Sequence, residues 1–511
     1  MGLSALDLLL VVLYLVGITL FGLRFRRRQH SLRDYFLAGR DIPWWAISLS
    51  IVAAETSTLT IISIPGLAFD TDLGFLQVVF GYLAGRVIIS FILLPQYFRG
   101  ELYTAYQVID RRFGPRLRAV TAGLFLLTRS AAEGVRVFAV SIVVRVVLGW
   151  VFTGMSPIAA DVTAIAIVTA LTLIYTFEGG MTAVIWTDVV QMALYVGGTL
   201  VGFFTLLHLV PGGWAGIQSA ASTAGKFHAL NFSLDPTRAY TFWAGLVGGA
   251  FLTTASHGTD QLMVQRLLAA RDLRQSRKAL LASGIVVLVQ FTLFLLIGVM
   301  LWVFYRTHTM PDSVTSADRI FPAFIVTQMP HVVSGLLVAA ILAAAMSNLS
   351  AALNSLTSSS MVDFYLRGRR GSSLSEAARL KLSRLMTVGW GLILFALAIV
   401  SRGGGRVVEL GLSIASVAYG ALLGVFLLGT LSRRASERGA VVGMLCGFAL
   451  NLYVWLAPLP ASFLRALATL LGHPTANNKL AWTWYVLLGS VVTFGVGWMV
   501  SRMQSKGTIH G

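Results

Sequence analysis

The sequence predicts an all-α polytopic membrane protein of about thirteen transmembrane helices. Its 511 residues are 56% apolar and only 12% charged, whereas a soluble chain carries about 25% charge. Mean hydropathy is +0.79. Apolar runs of roughly 20 residues, long enough to cross a bilayer as a helix, recur from end to end.

The first run, 4–24, sits where a signal peptide would. It has no basic start, and "RFRRR" follows it instead of a small-residue cleavage site, so it reads as a retained helix. Twelve more spans follow at 43–69, 74–97, 119–150, 157–177, 186–210, 239–264, 278–305, 331–364, 380–401, 406–431, 439–458 and 481–501. An odd number puts the termini on opposite sides. With the N-terminus outside, 27 of the 39 Lys and Arg fall in inside loops, eight in outside loops and four within spans. Basic loops face the cytoplasm, so the C-terminus is expected there. The net charge of +18 then meets an anionic lipid surface, and no nucleic-acid partner is implied. The lone Cys446 cannot form an intrachain disulfide, and the eight His show no ligand spacing.

Three spans are interrupted by polar and small residues. The second carries Glu55, Thr56, Ser57, Thr58 and Thr60 at mid-span, then Pro65-Gly66. The seventh carries Gly248-Gly249, then Thr253, Thr254, Ser256, His257, Gly258 and Asp260. The ninth holds "SNLSAALNSLTSSS", 347–360. Discontinuous helices of this kind build midplane sites in transporters, although Pro and Gly also occur in ordinary kinked membrane helices. Spans two and seven lie five apart, so units starting there run in opposite directions. This suits a five-plus-five inverted repeat with one helix before and two after. One transmembrane domain, 1–511, would divide into a leading helix and loop (1–42), a first repeat (43–210), an external loop (211–238), a second repeat (239–431) and two added helices (432–511).

Charge inside a membrane span is costly and points to function. Asp188 opens the sixth span and reads either as a helix cap near the inner interface or as a cation ligand. Arg129, Glu133 and Arg136 share one helix face and suit a self-neutralising cluster. Glu55 has no local partner; it is protonated, paired at a distance or beside a cation. Arg86 is a lone mid-span charge that suits either Glu55 or an anionic solute.

Four stretches resemble the sodium:solute symporter family in order and spacing: "DYFLAGRDIPWWAISLSIVAAETS" (34–57), "YTFEGGMTAVIWTDVVQ" (175–191), "TDQLMVQRLLAARD" (259–272) and "AAILAAAMSNLSAALNSLTSSSMVDFY" (339–365). The resemblance implies the same inverted repeat and a co-transported sodium ion with no organic cofactor. By position, it implies sodium ligands at Ala53 and Thr56 of the first core helix and at Ala344 (carbonyl), Ser347 and Asn348 of the eighth. Hard oxygens suit an alkali cation. Asn348 stands where the family usually has a second hydroxyl. Asp188 and Ser350 match two positions of a second sodium site seen in some members, but the third position is Ala351, which lacks a side-chain oxygen. One sodium is therefore expected, with Asp188 as a supporting acid or a relic; a second sodium at Asp188 and Ser350 is the alternative.

The resemblance also leaves Glu55, Gln77, Arg86, His257 and Gln290 as candidate solute contacts. His257 falls where the sugar carriers tend to place an aromatic ring. Leu412 and Val287 replace their glutamine and lysine, which argues against a hexose held in that way. The expected function is sodium-coupled import of a small polar solute (a sugar, polyol, amino acid or organic acid) by alternating access across the plasma membrane, by a monomer or weak homo-oligomer. Proton coupling through Glu55 or His257 is the alternative. A sensor or channel of the same fold is a further alternative; a sensor is expected to need an appended signalling domain, for which 503–511 is short. No cluster of acids, Cys or His supports an enzyme.

Overall fold

A computed structural model describes residues 4–56, 58–147, 154–311, 314, 316–368, 373–401 and 407–507. Ser57, Arg369, Arg370, Arg402, Arg406 and His510 lie outside the described residues, as do the side chains of Arg145, Leu412 and Lys506. The helices in chain order are α1 (Ala5–Leu23), α2 (Leu32–Leu37), α3 (Trp44–Glu55), α4 (Thr58–Asp70), α5 (Leu76–Ile88), α6 (Leu94–Tyr97), α7 (Tyr106–Phe113), α8 (Pro115–Val147), α9 (Pro157–Leu209), α10 (Gly213–Thr223), α11 (Gly249–Gly258), α12 (Gln261–Leu268), α13 (Leu273–Phe304), α14 (Ile320–Gln328), α15 (Val333–Ser359), α16 (Glu376–Val400), α17 (Val407–Leu431), α18 (Glu437–Leu456), α19 (Ala461–Leu471) and α20 (Tyr485–Gly507). Among the described residues the β-structure is one isolated bridge, Ile42 to Ala270, which ties the chain before α3 to the chain after α12.

The all-α membrane architecture matches the expectation. Helices occupy each of the thirteen expected spans, but among the described residues eight are long and apolar enough to cross a membrane unaided, or nine counting the bent pair α3–α4. The remainder have a physical reason to fall short. α8 carries the Arg129–Glu133–Arg136 charges, the first part of α9 and the described part of α17 give short apolar stretches, and the seventh span is divided between α11 and α12.

Local chemistry sets the breaks. α3 stops because Thr56 adopts extended dihedrals (φ −83°, ψ 96°), and the halves Trp44–Glu55 and Thr60–Asp70 are inclined by 61°. Between α11 and α12, Asp260 is extended and its side chain caps α12 through the backbone N–H of Leu262. Within α9 the break falls at Gly180, with φ 53°, where a Cβ would stand 2.7 Å from the Tyr35 carbonyl oxygen. Only glycine satisfies both the positive φ and that approach.

α15 forms the centre of the molecule, and every residue from Leu337 to Ser359 is buried. Its N-terminus is held by α1: the Asp7 carboxylate accepts hydrogen bonds from the Val332 and Gly335 amides at 2.6 and 3.1 Å. The latter half of its polar stretch is a packing surface, as expected. Gln265 Nε2 donates to Asn354 Oδ1 at 2.5 Å, Gln261 Nε2 to Ser358 Oγ at 2.9 Å, and Trp390 Nε1 to Ser360 Oγ at 2.9 Å.

Candidate functional site

The break in α3 faces the middle of α15. A helix terminus leaves carbonyls beyond the hydrogen-bond ladder. The last ladder bond here is Thr56 N–H to the Val52 carbonyl, at 2.8 Å. The Thr56 carbonyl then accepts from Asn348 Nδ2 at 3.2 Å, and the same Nδ2 donates to the Ala344 carbonyl at 3.1 Å. Thr56, Ala344 and Asn348 are therefore brought together. Ala53 is fully buried in the last turn of α3. Ser347 donates through Oγ to Asp188 Oδ1 at 2.7 Å, which leaves its oxygen lone pairs free to accept. Ser350 donates to the Ser347 carbonyl at 2.9 Å and is buried.

Asp188 has a cationic partner that its local sequence does not reveal. Arg266 Nη2 bonds Asp188 Oδ2 at 2.9 Å, with both side chains almost wholly buried. Ser50 Oγ joins them, donating to Asp188 Oδ2 at 2.5 Å and accepting from Arg266 Nε at 2.9 Å. Charge distribution along the chain places Arg266 among the inside-loop cations facing lipid headgroups. It is instead buried, because "QLMVQRLL" folds into α12 against α3 and α15. Arg118 departs from that expectation in the same way: it is buried and pairs with Asp363 and Asp110, each at 2.8 Å.

A second charged group flanks the break. Glu55, the last residue of α3, pairs with Arg86 of α5. His257 of α11 approaches Glu55 through Nε2 at 3.5 Å and holds Ser256 Oγ at 2.9 Å through Nδ1. Arg86 spends its other donors on Ser283 Oγ (3.1 Å) and the Tyr82 carbonyl (3.2 Å). Glu55 thus meets the expectation of a distant partner, and that partner is Arg86. Gln290 accepts from Thr56 Oγ1 at 3.1 Å and links the group to the break. Gln77 stands apart, its amide fixed by the Gly74 and Tyr240 carbonyls and the Asn231 amide, which anchors the loop that carries Asn231. The Arg129–Glu133–Arg136 cluster is present, with Glu133 between the two cations, and Arg129 also reaches Asp260 at 3.7 Å.

Several buried polar atoms near the break have no hydrogen-bond partner among the described residues: Asn348 Oδ1, Gln290 Nε2 and both amide atoms of Gln191. Sequence reasoning misses Gln191, and also Tyr195, which lies beside Thr56 and Gln290. The signal is present in "TDVVQMALY", where Asp188, Gln191 and Tyr195 at i, i+3 and i+7 put three polar side chains on one face of an apolar helix. Native interiors leave few polar groups unmet, and those that remain deserve a functional explanation.

Broken helices meeting at mid-molecule, with carbonyls, hydroxyls and paired charges gathered at the break, define a secondary transporter of the discontinuous-helix class. The chain belongs to the sodium:solute symporter family, whose model matches residues 35–447. It is similar to the sodium/sialic acid symporter SiaT of Proteus mirabilis, at 29% identity over 84% of this chain and 86% of that protein. It is also similar to the sodium-dependent multivitamin transporter of Oryctolagus cuniculus, at 28% identity over 94% and 80%. A solved structure of a sodium-coupled sialic acid symporter, substrate-bound and outward-open, matches with a TM-score of 0.83 and 26% identity over 98% of each chain. The family and these relatives are sodium-coupled transporters, not enzymes.

Proposed function

We propose that this protein is a sodium-coupled symporter that imports a small polar solute across the plasma membrane by alternating access. The observation that carries the reading is the α3 break at Thr56, set against Ala344, Ser347 and Asn348. In this reading the Ala53, Thr56 and Ala344 carbonyls and the Ser347 and Asn348 side chains hold sodium, with Asp188 and Ser350 in support. Sodium joining α3 to α15 favours the outward-open state and raises solute affinity by linkage.

The solute meets Glu55, Arg86, His257 and Gln290. Glu55 and Arg86 balance in charge, so a solute that brings both a carboxylate to Arg86 and a donor to Glu55 replaces the pair without leaving either charge bare. Relatives named for sialic acid and vitamins are in keeping with such a site. The units 43–210 and 239–431 act as the two inverted repeats, with the N-terminus outside and the C-terminus in the cytoplasm.

The test is uptake into proteoliposomes across a panel of sugars, amino acids and organic acids, with and without an inward sodium gradient. Sodium-stimulated uptake of one solute class that Ser347→Ala abolishes is the expected result. Uptake indifferent to sodium would remove the coupling claim. A second reading, proton coupling, rests on the 3.5 Å approach of His257 to Glu55; uptake driven by a pH gradient alone would favour it.

A further inference from the structure

One nitrogen bridges the broken end of α3 and the middle of α15. Asn348 Nδ2 donates to the Thr56 carbonyl at 3.2 Å and to the Ala344 carbonyl at 3.1 Å. The side chain is 3% exposed, and its Oδ1 is buried with no hydrogen-bond partner among the described residues. The amide is thus satisfied at one end and bare at the other.

The chemistry of the two orientations differs. With the NH2 group inward, two hydrogens meet two carbonyl oxygens. With the amide turned over, Oδ1 faces the same two oxygens, and three negative dipoles converge. That second orientation is unfavourable alone and favourable around a cation. A sodium ion needs the Thr56 and Ala344 carbonyls, and so does Nδ2, so the two compete for them.

We propose that the Asn348 amide is a built-in stand-in for sodium. Its NH2 group holds the Thr56 and Ala344 carbonyls together when no ion does, and it turns over to present Oδ1 as a ligand when sodium enters. This rests on the sodium-site reading above. It adds a specificity-determining role for one residue. A serine or threonine at this position has one proton and cannot bridge two acceptors. Asparagine therefore gives a carrier whose α3–α15 contact is partly made without sodium, and whose sodium must first displace an intramolecular bond. Both effects lower apparent sodium affinity and reduce the change that sodium induces.

The experiment uses the purified full chain with radioactive sodium as the probe. Direct sodium binding and amide hydrogen exchange across 53–56 are measured for wild type, Asn348→Ser, Asn348→Thr and Ser347→Ala. Asn348→Ser is expected to bind sodium about tenfold more tightly, the equivalent of one displaced hydrogen bond. It is also expected to exchange faster at 53–56 in sodium-free buffer, with sodium restoring protection. Asn348→Thr serves as the second variant should serine not fold. Affinity unchanged or lowered, or exchange unchanged, overturns the proposal. Ser347→Ala separates the two claims. If it abolishes sodium binding while Asn348→Ser behaves as wild type, the stand-in fails and the site stands. If it binds sodium normally, the site reading itself fails.

Discussion

Arg266 of α12 and Asp188 of α9 form a buried ion pair, 2.9 Å long, beside the α3 break. Removing one partner of such a pair leaves an uncompensated charge, at about 3–5 kcal/mol. Asp188→Asn and Arg266→Gln should each lower the melting temperature in detergent, and the double variant should recover most of the loss. Full additivity of the two losses would mean the pair is not energetically coupled. Ser347 hangs on the same carboxylate, so Asp188→Asn should also weaken sodium stimulation: the amide keeps one acceptor oxygen for Arg266 and Ser50, and its NH2 group then meets the Ser347 oxygen that the ion needs.

Glu55 and Arg86 are paired across α3 and α5, with His257 as third member. Hydrogen bonds to charged groups contribute about 1.5–3 kcal/mol each. Glu55→Gln and Arg86→Gln should therefore lower transport about 10–100-fold. The informative measurement is solute binding apart from uptake. A solute contact at Arg86 predicts that Arg86→Gln loses binding of carboxylate solutes in particular, whereas a purely structural pair would weaken all solutes through the fold.

Asp235 lies outside the spans and joins the loop before α11 to the loop before α20. It accepts from Thr237 (2.6 Å to Oγ1, 2.9 Å to N) and from the Ala476 amide at 2.8 Å. Burial pushes its carboxyl up, but these hydrogen bonds and Arg238 outweigh burial and hold it below the usual carboxylate range. A depressed folded-state value stabilises the ionised form. Its contribution is present at neutral pH and is lost as pH falls through the folded-state value. Asp235→Asn should melt below wild type at pH 7, and the gap should close as pH falls below the usual carboxylate range. A gap constant with pH would show that the contribution does not depend on ionisation.

The fold was legible because lipid imposes it. Backbone groups in the bilayer must pair internally, so apolar length and the polar interruptions at Thr56 and His257–Asp260 located the helices and both breaks. The Glu55–Arg86 pair was accessible because unpartnered mid-span charges must find each other. Arg266 was not, since a cation near a span end reads as a loop residue until folding turns its helix inward. Gln77 shows the converse: a buried polar side chain within the transport core serves the backbone of a loop. The bridging by Asn348 depends on the distance between two helices, which spacing along one helix does not contain.

Close packing at the broken span gives the last prediction. Gly298 of α13 lies against α4, where a Cβ would stand 2.1 Å from the Pro65 carbonyl oxygen and 2.8 Å from Ala68 Cβ. Both neighbours belong to helix interior, so neither moves without shifting α4. Small residues permit this approach, which is how helices associate in lipid. Gly298→Val should cost about 1–3 kcal/mol by overpacking. Gly389 of α16 is the control, because a Cβ added there would meet nothing within 4 Å among the described residues. Gly389→Ala should be neutral or slightly stabilising, since alanine favours helix. α4 carries the second half of the broken span, so Gly298→Val should also lower sodium and solute affinity by more than its loss of melting temperature explains. Equal behaviour of Gly298→Ala and Gly389→Ala in both measurements would show that the α4–α13 contact does not confine the break.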